Sequence, residues 1–315
     1  QYPKMILFYS QPAIWEFVLA INQKFNGNLK CHRCAECNGF GCPDMLPGLG
    51  GVMEGKNFQA NVQSWKDLFT PEAQKITIKP TVIRCGPVTG AVENIGFENE
   101  KDFYYPYLKN TADSGFGICV GDGCPDEKLK FGVEAVKKIQ EEAKKNLNAA
   151  FFLKPYPQEK LFERVEWVKP YAGLIGIDID SYNILTMRNL VNLERKTAAQ
   201  LEEFRDKTKL PFVIKGVFTK DDIELVKEVK PEVVYISNHG GRVETRLGST
   251  GDFLKENAEV LKKYCKEIWV DGGIRTKKDI QTALFYGADQ VIMARPLIRA
   301  TFDGTYKDFV SSILK

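Results

Sequence analysis

The chain has 315 residues, and its 43% hydrophobic and 27% charged content is close to that of globular proteins, which excludes a disordered, collagen-like or coiled-coil chain. Its 44 basic and 41 acidic residues nearly cancel, so the overall charge does not favour nucleic acid or an anionic membrane as a partner. The most apolar early stretch, residues 5–21, is interrupted by Pro12 and by polar residues, which makes it too broken to span a bilayer.

Residues 1–80 are predicted to form an N-terminal appendage that lies on the rest of the chain, because no flexible linker separates the two. The appendage contains four closely spaced cysteines, Cys31, Cys34, Cys37 and Cys42. Because residues 5–21 are also too broken to serve as the apolar core of a signal peptide, we expect an intracellular, cytoplasmic protein. In such a reducing compartment a cysteine cluster of this kind is more typical of a metal site than of disulfides. The spacing of the first three cysteines resembles a ferredoxin run and favours a [4Fe–4S] cluster. Structural zinc and free or disulfide-linked thiols remain alternatives.

Short runs rich in Val, Ile and Phe recur from residue 80 onward and alternate with helical segments rich in Lys and Glu. The runs span residues 81–88, 115–121, 149–154, 172–180, 211–217, 233–238, 267–271 and 290–295. The helical segments include residues 126–145, 158–168, 197–207, 220–229, 252–264 and 277–286. Eight alternating β and α elements predict parallel strands with right-handed crossovers, and the number eight favours a (β/α)8 TIM barrel over residues 81–315.

Polar side chains follow the predicted strands at the end where the active sites of such barrels lie. The Gly-rich turn after strand seven and the turn after strand eight each carry an arginine, which predicts a phosphate site made by Gly273, Arg275 and Arg295. Lys215 closes an otherwise apolar strand and is either a ligand contact or a lysine that extends to solvent. His239 is one of only two histidines and precedes a Gly-Gly-Arg turn, so it is the candidate acid–base group.

Four segments together resemble the FMN-dependent α-hydroxy-acid oxidase and dehydrogenase family. They are residues 211–216 (PFVIKG), 236–242 (ISNHGGR), 270–275 (VDGGIR) and 294–296 (ARP). Their order, spacing and placement at strand ends all agree with that family. The resemblance implies an FMN-binding barrel that oxidises a small, lactate-like 2-hydroxy acid to the 2-oxo acid.

The resemblance also assigns roles to single residues. It implies that His239 is the catalytic base, that Asp180 pairs with this histidine and that Arg242 binds the substrate carboxylate. Lys215 would stabilise negative charge on the N1/O2 edge of the reduced flavin. The implied cofactor contacts are Gly86, Pro87, Val88, Lys215, Ser237, Asp271, Gly273, Arg275, Ala294 and Arg295.

Two strand ends depart from the family pattern. Lys154 stands where a tyrosine that reaches the substrate is usual, and Asp178 stands where a threonine is often found. A second substrate-binding arginine is expected near Met187, and Arg188 lies beside that position. We therefore predict Lys154 and Arg188 as substrate contacts together with Arg242.

Two other functions stay open at this point. One is an FMN-dependent isomerase of the type 2 isopentenyl-diphosphate kind, although such enzymes lack the ISNHGGR run. The other is a non-catalytic flavin or metal redox sensor, which the retained His239 and Arg242 oppose. The expected partners are a small-molecule substrate, an electron carrier and further copies of the chain, with neither nucleic acid nor a membrane among them.

Overall fold

The computed structural model describes residues 56–92, 99–183, 192–243 and 245–315. Within those ranges, no helix combines the length and the apolar character that a membrane crossing requires.

Eight parallel strands form one sheet that closes into a barrel. They are β1 (Ile83–Cys85), β2 (Cys119–Gly121), β3 (Ala149–Leu153), β4 (Ala172–Asp178), β5 (Phe212–Val217), β6 (Val233–Ile236), β7 (Glu267–Val270) and β8 (Gln290–Met293). The order in the sheet is β1-β8-β7-β6-β5-β4-β3-β2. Gly117 closes the ring between β1 and β2, since its N–H donates to Ile83 O and its carbonyl accepts from Cys85 N. The predicted (β/α)8 barrel is therefore confirmed.

The first helix precedes the first strand, and the helices after it follow the strands and cover the outside of the barrel. The helices are α1 (Lys56–Asp67), α2 (Lys101–Asp113), α3 (Glu127–Ala143), α4 (Gln158–Val168), α5 (Ala198–Thr208), α6 (Lys220–Val229), α7 (Thr250–Leu261), α8 (Lys277–Phe285), α9 (Arg295–Phe302) and α10 (Tyr306–Leu314). Three of them are preceded by a threonine that forms a capping box, at Thr197, Thr219 and Thr276. In each, the threonine hydroxyl accepts from the backbone N–H of the third helical residue, and the side chain of that residue accepts from the threonine backbone N–H. These caps fix where the helices start after their loops.

The strands are buried along almost their whole length, because helices cover the outer face and side chains fill the inside of the barrel. Inside, Phe152 packs edge-on against Tyr235 and Trp269, with ring centroids 5.5 and 6.4 Å apart. The guanidinium of Arg84 lies 4.2 Å from the centre of the Trp269 ring. The barrel is thus a packed core, which leaves its rim as the place for a ligand.

Helix α1 packs on the turns that follow β6 and β7, at the carboxyl ends of the strands. Trp65 is fully buried, and its Nε1 donates to Gly272 O at 2.6 Å. Asn61 donates to Asn238 Oδ1 at 2.8 Å and accepts from Thr250 N at 3.0 Å. The close approach requires glycine at position 273, because a Cβ there would lie 2.2 Å from Asn61 O. Helix α1 therefore supports the site, while the domain division at residue 80 stays a prediction.

Candidate active site

The carboxyl ends of β3, β4, β5 and β6 bring charged side chains together at one edge of the barrel. Three of these residues lie inside the runs that the sequence predicts as strands but beyond the ends that the structure gives those strands. Lys154 follows β3, Asp180 follows β4, and Ser237 follows β6, so none of them belongs to its strand's ladder. Arg295 was assigned to strand eight, which is wrong. That strand ends at Met293, and Arg295 begins α9, where the proline after it suits the first helical turn.

Asp178 is the centre of this charged cluster. Its Oδ1 lies 2.7 Å from Lys215 Nζ, and its Oδ2 lies 3.0 Å from Lys154 Nζ. The same Oδ2 lies 3.1 Å from Nε2 of His239. Burial alone would raise the pKa of the Asp178 carboxyl, but His239, Lys215 and Lys154 together hold it well below its usual value. Asp178 is therefore a buried carboxylate.

Lys215 does not extend to solvent, because the structure leaves only 3% of the residue exposed. Burial disfavours its charged form, but the carboxylates of Asp178, Asp180 and Asp271 raise the pKa of Lys215 above its usual value. Its Nζ also lies 5.4 Å from the centre of the Tyr235 ring. The site thus holds a permanent positive charge at the end of β5.

His239 lies between two carboxylates. Its Nδ1 is 2.8 Å from Asp180 Oδ2, and its Nε2 faces Asp178. Its backbone φ is 55°, in the left-handed region that non-glycine residues seldom adopt and that clusters at functional sites. Ser237 Oγ accepts from the His239 backbone N–H at 3.2 Å, which holds this unusual turn.

A bulge in β5 makes room for the His239–Asp180 pair. The register between β5 and β6 shifts between Lys215 and Val217, and the residue between them is Gly216 with φ of 97°. A Cβ at this glycine would lie 2.5 Å from the Asp180 carboxyl carbon. Asp180 can therefore reach the histidine only because position 216 lacks a side chain.

Three ligating groups could suit a metal ion here, since ligand atoms of Asp178, Asp180 and His239 lie within 4.8 Å of one another. The ammonium groups of Lys154 and Lys215 already contact both oxygens of Asp178. Two fixed positive charges at these distances would repel a further cation. The cluster is better described as an acid–base array.

Asp271 fits the polyol chain of an FMN. Its Oδ2 accepts from Tyr235 Oη at 2.8 Å and from Ser237 Oγ at 3.0 Å. Its Oδ1 is buried and has no hydrogen-bond partner within the described parts of the chain. Burial raises the pKa of this carboxyl. A hydroxyl that donates to Oδ1 would satisfy the atom and offset the cost of its burial.

The two predicted phosphate arginines lie close together at the ends of β7 and β8. The guanidinium groups of Arg275 and Arg295 lie 5.7 and 4.8 Å from the centre of the same ring, that of Phe58 in α1. Burial lowers the pKa of Arg275, and the charge of Asp279 opposes this shift. A phosphate would place its negative charge beside both guanidinium groups, so the residues present fit this part of FMN as well.

The remaining predicted cofactor contacts also converge. Gly86 after β1 donates to Met293 O at 2.8 Å, and a Cβ at Gly86 would lie 2.7 Å from that of Ala294. Pro87 and Val88 continue from this glycine along the same edge. The backbone at the ends of β1 and β8 therefore forms one surface, next to the two arginines.

Five predicted site residues lie outside the described residues, and two residues of the site were not predicted from the sequence. Arg188 and the four cysteines, Cys31, Cys34, Cys37 and Cys42, lie outside the described residues. Arg242 is partly buried in the His239 turn. The sequence interpretation missed Phe58 and Asn61 of α1, although Phe58, Asn61 and Trp65 recur at helical spacing.

Comparison with known proteins agrees with this geometry. A family model described as FMN-dependent dehydrogenase matches residues 136–306. A 2-hydroxyacid oxidase 2 from Bos taurus is 38% identical over 98 residues, which are 31% of this chain and 28% of that protein. An L-lactate dehydrogenase (cytochrome) from Saccharomyces cerevisiae is 38% identical over 108 residues, which are 33% of this chain and 18% of that protein. The matched segments thus span less than a third of these curated relatives.

Solved structures support the fold. A mandelate oxidase with benzoyl-formic acid superposes with a TM-score of 0.63 at 18% identity, covering 86% of this chain and 89% of that one. A putative lactate oxidase from Pediococcus acidilactici gives a TM-score of 0.65 at 16% identity, covering 95% and 88%. Because the family model covers more than half of the 315 residues, the chain belongs to the FMN-dependent dehydrogenase family.

Proposed function

We propose that the protein oxidises a small, lactate-like 2-hydroxy acid to the 2-oxo acid with FMN as its cofactor. The observation that carries the proposal is the pair of His239 Nδ1 and Asp180 Oδ2, 2.8 Å apart at the rim of the barrel. The names of the matched relatives, 2-hydroxyacid oxidase and lactate dehydrogenase, support the substrate class. The dehydrogenase family match does not favour an isomerase.

The residues of the site supply what this reaction needs. His239 accepts the proton of the substrate hydroxyl at Nε2, while Asp180 orients the ring and stabilises the charge that forms on it. Arg242 follows in the same turn and binds the substrate carboxylate through its guanidinium. When bound, FMN supplies the acceptor for the hydride that leaves the hydroxyl-bearing carbon. Lys215 provides a buried positive charge at the end of β5.

Two further substrate contacts belong to the proposal. Lys154 lies beside Asp178 at the end of β3 and would border the substrate where a tyrosine is usual in the family. Arg188 is the proposed second contact for the carboxylate. Both would restrict the substrate to small acids, because a positive group on each side favours a compact anion.

Anaerobic titration with candidate 2-hydroxy acids tests the function directly. We expect at least one small acid, such as lactate, to bleach the flavin absorbance, with the matching 2-oxo acid as the product. Flavin that is reduced by dithionite but by none of a panel of 2-hydroxy acids would contradict the proposal.

Arg295→Ala is expected to weaken FMN retention. A charge-assisted hydrogen bond to a phosphate contributes about 1.5–3 kcal/mol, which corresponds to a roughly 10–100-fold weaker cofactor affinity. The measurement is FMN released on dilution and heating, followed by its fluorescence.

Arg299→Ala is the matched control, since Arg299 is in the same helix and pairs at 3.8 Å with Asp303. We expect it to retain FMN like the unmodified chain. Equal FMN retention by both variants, or release of FAD instead of FMN, would show that the phosphate site is misplaced.

We propose that Cys31, Cys34, Cys37 and Cys42 hold a metal, with a [4Fe–4S] cluster favoured over zinc. Four crowded thiolates repel one another without a cation, and their spacing is too tight for ordinary disulfides to use all four. Anaerobically purified protein is expected to contain about four irons per chain. Stoichiometric zinc would make the site a structural clamp, and four freely titrating thiols without metal would contradict a metal site altogether.

The electron acceptor, the cellular location and the oligomeric state are further parts of the proposal. An iron–sulfur cluster near the flavin would pass electrons singly, so we propose an electron carrier as a partner and a dehydrogenase in preference to an oxygen-consuming oxidase. Within the described residues Cys85, Cys119, Cys124 and Cys265 are free thiols, which supports the proposed cytoplasmic location. We also propose a homo-oligomer, to be tested by light scattering.

A further inference from the structure

The two residues that depart from the family pattern are partners of each other. Lys154 follows β3 and Asp178 ends β4, and their side chains meet at 3.0 Å. Both are buried, so the pair is built into the barrel and is not a surface contact. The same Asp178 oxygen that Lys154 contacts also faces His239 Nε2 at 3.1 Å.

Hydrogen-bond chemistry restricts the protonation of a ring in this position. A neutral imidazole has one donor nitrogen and one acceptor nitrogen, whereas an ionised carboxylate only accepts. The ammonium groups of Lys154 and Lys215 contact both oxygens of Asp178, at 3.0 and 2.7 Å, and so keep this carboxyl ionised. An unprotonated Nε2, with its partly negative lone pair, would therefore lie 3.1 Å from a negative oxygen, and this contact would be repulsive.

The second carboxylate does not change that conclusion. If Asp180 is ionised, it accepts a hydrogen bond from Nδ1–H, and the ring is an imidazolium. If the proton is on Asp180 instead, whose pKa burial raises, Asp180 donates to Nδ1, and Nε2 still carries the other proton. In both cases Nε2, which faces Asp178, is protonated.

The charges around His239 also favour an additional proton on the imidazole ring. Lys154 after β3 and Lys215 from β5 act on Asp178, and Lys215 acts on Asp180 as well. Asp271 after β7 is near enough to interact with both Lys215 and His239. Arg242 follows in the same turn as His239, and the guanidinium of Arg295 from α9 lies beside Gly240. Three carboxylates against two ammonium groups leave one negative charge, which one extra proton neutralises. The two arginines are those assigned above to the anionic groups of the substrate and of FMN.

We propose that Asp178 is a positioning residue that keeps Nε2 of His239 protonated in the resting enzyme, and that Lys154 is there to hold Asp178 in this role. The inference rests on the proposed function for its kinetic consequence, because Nε2 must lose this proton before it can accept one from a substrate hydroxyl. The protonation of the ring itself is independent of any substrate.

Nitrogen-15 NMR of the full-length holoprotein tests the proposal without any turnover. The chain contains two histidines, so selective histidine labelling gives few signals, and His32→Gln identifies those of His239. We expect Nε2 of the unmodified protein to carry a proton at neutral pH. An unprotonated Nε2 under these conditions would overturn the proposal, whatever the activity.

Asp178→Asn replaces the carboxylate that faces His239 Nε2, which only accepts hydrogen bonds, with an amide that can also donate one. Its amide N–H would donate to Nε2, so we expect this nitrogen to lose its proton at a pH about 1 unit lower or more. Asp178→Thr, with the residue usual in the family, removes the charge and provides a second variant if Asn impairs folding. Unchanged protonation in a folded variant of either kind would contradict the role of Asp178.

The pH dependence of flavin reduction by a 2-hydroxy acid gives the kinetic result. We expect the acid limb of kcat/KM in Asp178→Asn to move to lower pH together with the NMR transition. A limb that stays in place while the NMR transition moves would overturn the kinetic part of the proposal. If no 2-hydroxy acid reduces the flavin although Nε2 is protonated, the proposed function fails and the role of Asp178 stands.

Discussion

His239→Ala should retain FMN and lose flavin reduction by 2-hydroxy acids. Removal of a general base costs about 10²–10⁴-fold in rate, since no other group takes the hydroxyl proton. The loss is expected in the rate of flavin bleaching under anaerobic stopped-flow conditions at saturating substrate. FMN binding should persist, because the fitted cofactor contacts at Asp271, Arg275 and Arg295 do not involve the imidazole.

Reduction by dithionite is the control for His239→Ala. It shows whether the bound flavin of the variant still accepts electrons, independently of proton removal from a substrate. If dithionite and the 2-hydroxy acid both reduce the variant at the rates of the unmodified protein, another group is the base. Loss of FMN from the variant would instead show that the turn after β6 is needed to form the cofactor site.

Arg164→Met is expected to destabilise the fold by about 3–5 kcal/mol. Arg164 in α4 has no exposed side-chain surface, and its Nε donates to the equally buried Asp122 at 3.0 Å. It also pairs with Asp126, and its guanidinium lies 4.2 Å from the centre of the Tyr156 ring. Removal of the guanidinium would leave Asp122 as a buried charge without its counterion. Urea denaturation in excess FMN, followed by circular dichroism, measures the change in the free energy of unfolding.

Lys227→Met is the matched control. Lys227 pairs at 2.7 Å with Glu224 in α6, but the side chains are 33% and 70% exposed. Exposed pairs of this kind contribute little to stability, so we expect the free energy of unfolding to change by no more than about 0.5 kcal/mol.

If Arg164→Met lowered the free energy of unfolding no more than this control does, the charge of Asp122 would have to be compensated by another group. Because Asp122 also accepts from the Lys154 backbone N–H at 3.2 Å, a shift of Lys154 is expected in the variant.

The regular elements were predictable where burial and apolar side chains coincide. The boundaries of α4 and α6 agree with the predicted segments 158–168 and 220–229, because both helices place apolar residues on one buried stripe. Helix α1 was not predicted because its buried positions include Asn57, Asn61 and Ser64. Its sequence therefore shows no continuous apolar stripe at helical spacing. These side chains are buried because the turns after β6 and β7 satisfy their hydrogen bonds, which no local pattern shows.

The sequence by itself determined the eight-stranded barrel, the edge where its polar residues meet and the FMN family, because alternating periods and ordered motifs are local properties of the chain. Only the tertiary structure decided how those polar residues pair. Asp178 contacts Lys154, Lys215 and His239, which are 24, 37 and 61 positions away in the chain, so each contact depends on strand register. The bulge at Gly216 leaves room for Asp180 to reach the same histidine. Registers and bulges follow from the packing of the whole sheet, so the protonation of the histidine could be inferred only once its two carboxylate neighbours were in place.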